Sequence, residues 1–273
     1  MRIAFSTISC PDYTAAQVAE AARAYGYDGV ELYALEGNRL LPELLRERRD
    51  TLARELRGVP IVSINSWASL TASLGPGVVP DPTDSESPEG MVVETMELAA
   101  TLECPLVKAF GGAFPPGHDD ATVIAHVAAS AERLAAHARR TGVRLAIETH
   151  DGFCRGETLA AVLGQVADTD HVGALWDVHH PYRMGEPVER TAELIGAGVV
   201  HAHVKDAVRA GDGWRFVPLG DGELPVRAML AALADRGFDG VVSVDWEKMW
   251  HPELEGPRTV LPQYAATLRS YVG

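Results

Sequence analysis

The feature that most constrains this chain is a repeated alternation: apolar runs of strand length are separated by stretches of helical period, eight times from one end to the other. The strands read from the sequence are Ile3–Ser6, Gly29–Leu32, Ile61–Asn65, Leu106–Ala109, Arg144–Glu148, Gly173–Asp177, Val199–Val204 and Val241–Asp245. They are rich in Val, Ile, Leu and Ala and do not alternate with polar residues, as strands covered by helices on a parallel sheet require. Helical patterns fall at Ala15–Ala24, Pro42–Leu56, Pro88–Leu102, Ala121–Arg140, Glu157–Val166, Pro187–Ile195, Val226–Ala234 and Arg258–Tyr271.

Eight β–α units in 273 residues fit a closed (β/α)₈ TIM barrel formed as a single domain over residues 1–273. A doubly wound sheet usually has a glycine-rich first turn, and no GxGxxG or Walker-type loop follows the first strand. Two segments, Tyr25-Gly-Tyr-Asp-Gly-Val30 and Arg236-Gly-Phe-Asp-Gly-Val241, run from a helix end into a strand, with Gly26 and Gly237 expected as left-handed stops. Ser66 to Ser87, which includes Gly75 and Gly77, reads either as a lid over the barrel mouth or as a plain surface loop.

In such a barrel the reacting groups sit at the C-terminal ends of the strands. Four consecutive strand ends here carry ionisable residues: RLAIETH ends at Glu148, GALWDVHH at Asp177, HAHVKD holds His203, and VVSVDWEK holds Asp245 and Glu247. Taken singly, Asp177 reads equally as a cap, and His201 or His203 as a core histidine. As a set they point to a cation, because carboxylates crowded together repel one another unless an ion lies between them. Mixed oxygen and nitrogen donors suit one divalent ion, with Mn²⁺ expected and Mg²⁺, Zn²⁺ or Co²⁺ as alternatives.

Lys108, ending PLVKAFGG, either reaches a substrate oxygen or pairs with Glu148 or another barrel acid, and Lys205 and Asp206 carry the same two readings. His150, two residues past Glu148, reads as a group that polarises a substrate oxygen or as an exposed loop residue. Trp67, Phe110, Phe114, Trp176, Trp246 and Trp250 lie at or beyond strand ends, where each either packs or stacks on substrate.

The segments IETHD, WDVHHP, HAHVKD, VPLGDGELP and GFDGVVSVDWEKMWHP resemble the sugar-phosphate isomerase/epimerase superfamily, the xylose-isomerase-like TIM barrels that include ketose 3-epimerases and inosose dehydratase. The resemblance covers nearly the whole chain. It implies that Glu148, Asp177, His203 and an eighth-strand carboxylate bind one divalent metal, that His180 contacts substrate, and that Arg209 binds it as in some ketose epimerases. The family usually has Glu where this chain has Asp245; Glu247 lies on the same side of an extended strand and has the longer reach. The activity implied is isomerisation or epimerisation of a sugar, ketose or cyclitol through a metal-stabilised enediolate. Glu148 and either Asp245 or Glu247 would then serve as the two proton-transfer groups, and His180 and His150 would polarise or protonate a substrate oxygen.

A dehydratase or lyase working by the same proton abstraction is the first alternative, and a non-catalytic accessory barrel the second. A multi-metal nuclease of related fold would have to grip DNA. The formal charge of −14 opposes that, and with it nucleic acid or anionic membranes as partners. Without a glycine-rich phosphate loop, a non-phosphorylated sugar or polyol is the expected partner, and homo-oligomers are compatible with everything above. The opening MRIAFSTISC shows no secretory pattern, and Cys10, Cys104 and Cys154 suggest free thiols, so a cytoplasmic location is expected.

Overall fold

The structure, a computed structural model, describes residues 1–75 and 81–272. The expected strands are present as β1 (Arg2–Ser6), β2 (Gly29–Leu32), β3 (Ile61–Ser69), β4 (Leu106–Phe110), β5 (Arg144–Glu148), β6 (Val172–Asp177), β7 (Val199–Val204) and β8 (Val241–Val244). They form a closed parallel barrel in sequence order, with β8 pairing β1 and completing the ring. Each strand buries one face against the helices and the other in the barrel, which is why its sequence is largely apolar at successive positions.

Helices at Ala15–Tyr25, Pro42–Glu55, Pro88–Thr101, Asp120–Thr141, Gly156–Leu163, Val188–Ile195 and Val226–Ala234 lie between successive strands, and one at Pro257–Val272 follows β8. The first begins in a capping box formed by Thr14 and Gln17 and stops at Gly26, whose φ of 74° is left-handed. Gly237 has a φ of 76°, as the paired sequence segments predict. Outside the barrel Phe5, Trp176, Trp246 and Tyr264 are buried, so Trp176 and Trp246 serve packing.

Inside the barrel, apolar layers that include Ala4, Val62 and Val241, and Leu106, Ala146 and Leu175, lie beneath the polar groups of the mouth. This leaves the C-terminal ends of the strands to carry chemistry.

The sequence misses three local features. A short helix, His179–Arg183, follows β6, and two small hairpins stand apart from the barrel, Ala34–Leu35 with Asn38–Arg39 and Asp206–Ala210 with Gly213–Val217. β3 also runs on to Ser69, through an irregular register in which Trp67 adopts a φ of 62°. A bulky residue in this left-handed region is unusual and is held by its surroundings: its backbone N–H donates to Asn65 Oδ1 and its Nε1 to the Tyr33 carbonyl. Ser66–Ser69 therefore belongs to the barrel, whereas Gly77, in the middle of the segment read as a lid or loop, lies outside the described residues.

Candidate active site

Parallel register sets the spacing of the site. Asp177 and His203 are Cα partners across β6 and β7, His203 pairs with Ser243 across β7 and β8, and Phe110 pairs with Glu148 across β4 and β5. Because side chains alternate along a strand, His201, His203 and Lys205 all turn inward, as do Ser243 and Asp245. One ligand atom each of Asp177, His203 and Asp245 lies within 4.8 Å of the others, and the same holds for Glu148, Asp177 and His180. Among the described residues Glu247 joins no such group. Its carboxylate instead accepts a hydrogen bond from the Lys205 ammonium at 2.5 Å.

The two lysines form ion pairs. Lys108 Nζ lies 2.5 Å from Glu148 Oε2, touches the Tyr33 hydroxyl, and sits 4.0 Å from the centre of the Phe110 ring. Lys205 Nζ lies 3.0 Å from Asp177 Oδ2, 2.9 Å from Asp245 Oδ2 and 2.5 Å from Glu247 Oε1. Asp206 is structural: its carboxylate accepts backbone N–H groups from Ala207, Gly220, Gly222 and Leu224 and so pins the GDG turn after the hairpin.

Burial opposes ionisation throughout, and the neighbouring charges decide the outcome. For Glu148, burial is outweighed by Lys108 and His203, which hold its pKa well below the usual carboxylate range. Asp177 is pushed upward by burial and by Asp245 and Glu148, against the pull of Lys205. For His203, burial is overcome chiefly by Glu31 and Asp245, which raise it well above the ordinary imidazole value. For Lys205, Asp177, Glu247 and Asp245 overcome burial and keep the ammonium charged.

His180 is driven well down by burial, Lys205 and His150, so it is neutral. Neither of its ring nitrogens has a hydrogen-bond partner, and its Nε2 lies 4.0 Å from Asp177 Oδ2. His150 stacks edge-on against it at 4.5 Å and lies 4.8 Å from the Phe110 ring, so both imidazoles belong to one wall of the mouth.

Glu31 is the residue the strand-end search overlooks. It comes from β2, is fully buried, and meets both His201 and His203. The available signal was a charged residue inside the apolar run Gly29-Val-Glu-Leu32, which a parallel barrel strand tolerates only with a buried partner.

At the rim, Trp67 packs edge-on against Tyr33 at 5.5 Å and Trp250 at 6.2 Å, while the Arg39 guanidinium lies over both indoles. Arg209 is not brought into the cluster of acids. It is exposed on the second hairpin and stacks 4.5 Å over Trp214, which in turn contacts His179.

His179 carries a separate prediction. Burial, Lys205 and Arg183 depress its pKa to about 3, and its Nε2 has no partner. The unfolded chain accepts a proton near pH 6.5, and the folded imidazole refuses it. Its contribution is therefore complete above pH 6.5 and is lost as pH falls toward 3, by about 2 kcal/mol at pH 5. Urea midpoints at pH 7 and pH 5 should show a smaller acid loss in His179→Phe than in wild type, and equal losses would refute this.

With this geometry established, comparison with known proteins places the chain. The model of the xylose isomerase-like TIM barrel matches residues 19–270. The chain belongs to that family. Fructoselysine 3-epimerase of Escherichia coli O157:H7 is 30% identical over 95 residues, which is 32% of this chain and 34% of the relative. The match thus spans about a third of that curated relative's length. The IolI protein, whose crystal structure holds a zinc atom, superposes with a TM-score of 0.80 at 19% identity, covering 100% of this chain and 98% of its own. D-Psicose 3-epimerase with D-tagatose, from Clostridium cellulolyticum H10, gives a TM-score of 0.76 at 16% identity, covering 100% and 99%. At these identities the solved structures share the fold. Among the described residues, no helix is long and apolar enough to cross a membrane.

Proposed function

We propose that this member of the xylose isomerase-like barrels is a divalent-metal-dependent isomerase or epimerase of a non-phosphorylated sugar, ketose or cyclitol. One observation carries the reading: the mouth gathers more negative charge than its own cations neutralise. Five carboxylates, Glu31, Glu148, Asp177, Asp245 and Glu247, stand against three cations, the Lys108 and Lys205 ammonium groups and the His203 imidazole. Buried Asp245 Oδ1 accepts no hydrogen bond, and Asp177 Oδ2 meets only the Lys205 ammonium that it shares with Asp245 and Glu247. Carboxylate oxygens in excess of their donors, beside an imidazole nitrogen, fit a divalent ion, and Glu148, Asp177, His203 and Asp245 are the residues that would hold it. Asp245 is preferred to Glu247 as the fourth ligand because only Asp245 falls within ligand distance of Asp177 and His203.

When bound, a divalent ion would polarise the substrate carbonyl and lower the cost of charge developing on its oxygen. Mn²⁺ is our choice for a donor set dominated by carboxylates, with Zn²⁺, Mg²⁺ or Co²⁺ as alternatives. The remaining work falls to the chain. Glu148, kept ionised beside Lys108, removes the proton α to the carbonyl, and the electron pair passes into the enediolate. For epimerisation, Glu247, which Lys205 holds at the partly open edge, passes a proton taken up from solvent to the opposite face while Glu148 gives its own to solvent. For isomerisation, Glu148 delivers the abstracted proton to the adjacent carbon. Neutral His180 donates a hydrogen bond to a substrate oxygen, with His150 behind it. Trp67 supplies an apolar rim, and Arg209 lies further out for longer substrates. The unpaired thiols of Cys10, Cys104 and Cys154 support a cytoplasmic setting.

The test is a panel of ketoses, inososes and glycosides incubated with Mn²⁺ in D₂O and followed by NMR. Deuterium at the carbon next to the carbonyl, with an epimer or isomer as product, is expected. Products lacking water or an aglycone would turn the reading to a lyase, and no exchange from any member would remove the support for catalysis.

A further inference from the structure

His201 and His203 are two residues apart on β7, so both rings enter the barrel, and both aim Nε2 at the same carboxylate from β2. Glu31 Oε2 lies 3.1 Å from His201 Nε2 and 2.9 Å from His203 Nε2, and its Oε1 lies 3.2 Å from the latter. Ser243 Oγ is 3.0 Å from His201 Nε2. All four side chains are buried. An ionised carboxylate can only accept hydrogen bonds, so these contacts require a hydrogen on each Nε2. His203 Nδ1 lies 3.0 Å from Glu148 Oε1 and 3.9 Å from Asp245 Oδ2. Without an ion it donates to Glu148, and an ion bound there would replace that one hydrogen and leave the Nε2–H in place.

We infer that Glu31 is a positioning residue that holds His203 in its Nε2–H form and thereby turns Nδ1 toward the metal-binding carboxylates. This rests on reading His203 as a ligand. A partner on the far side of a liganding imidazole fixes both tautomer and ring orientation. Here that partner crosses the barrel from β2, whereas the proposed ligands come from β5 to β8. The ligand atoms of Glu31, His201 and His203 also lie close enough to hold an ion of their own. However, their nitrogen-to-oxygen separations are those of formed hydrogen bonds, and an ion there would have to displace both Nε2 hydrogens.

The experiment is titration of Zn²⁺, which is diamagnetic, into metal-free wild type, Glu31→Gln and Glu31→Ala by calorimetry. Histidine-ring ¹⁵N–¹H spectra are recorded with and without the ion, the two ring systems being told apart with His201→Asn. Wild type should bind one ion per chain and show a protected Nε2–H on His203. Glu31→Ala should lose that signal and bind Zn²⁺ about 10- to 100-fold more weakly, with Glu31→Gln in between. If Glu31→Ala fails to fold, Glu31→Gln carries both readouts.

Unchanged affinity with the signal retained would overturn the inference. So would two ions in wild type and one in the Glu31 variants, which would make Glu31 itself a ligand. A wild type that binds no divalent ion would overturn the metal reading alone. In that case, loss of the His203 Nε2–H signal in Glu31→Ala would still support the tautomer selection.

Discussion

Glu148→Gln is expected to lower kcat by about 10³-fold, the scale of losing a positioned proton-transfer group, while the barrel remains folded. The substitution keeps the shape of the side chain and removes its charge and basicity. Lys108 holds Glu148 at 2.5 Å and, with His203, keeps it ionised, so the wild-type carboxylate is ready to accept a proton throughout the neutral range. Gln has no such capacity. The measurement is exchange of the substrate's α-hydrogen in D₂O alongside far-ultraviolet circular dichroism. Loss of exchange with an unchanged spectrum supports the assignment, and wild-type exchange in Glu148→Gln would refute it.

The largest effect on stability is expected from Lys205→Met. The Lys205 ammonium sits among Asp177, Asp245 and Glu247, all within 3.0 Å, and is itself fully buried. Removing one partner of a buried ion pair leaves uncompensated charge, at a cost of about 3–5 kcal/mol. Met preserves the length of the stem, so the loss would report charge more than volume. Urea unfolding in a chelator should show the full deficit, and saturating Mn²⁺ should recover part of it, because an ion that binds only the folded chain stabilises it. A deficit below about 1 kcal/mol would contradict this account of the cluster.

These predictions rest on features that the sequence reveals unevenly. The strands were legible because each is a short, continuous apolar run bounded by turn residues, and burial on both faces leaves no other use for such runs. Glu148, Asp177 and His203 were legible for a related reason: an ionisable side chain at the end of an apolar strand stands out, and parallel register repeats that height from one strand to the next. Lys108 and Lys205 were visible only as alternatives, since nothing in the sequence says whether an ammonium meets a substrate or an acid on the neighbouring strand. Packing made both of them ion pairs. The hairpin carrying Arg209 was missed because its short strands lack the long apolar runs of the barrel, and its pairing leaves the arginine on the surface.

The sequence by itself determined the eightfold β–α order and the strand ends that bear ionisable groups, because both follow from local patterns of polarity. Barrel closure decided the rest. It carried Glu31, some 170 residues distant along the chain, to the two histidines of β7, and it set Asp245 beside Asp177 and His203 while Lys205 drew Glu247 toward the edge. Local polarity can mark a charged residue, but which opposite charge compensates it depends on distances of a few ångströms across the barrel, and those exist only once the ring has closed.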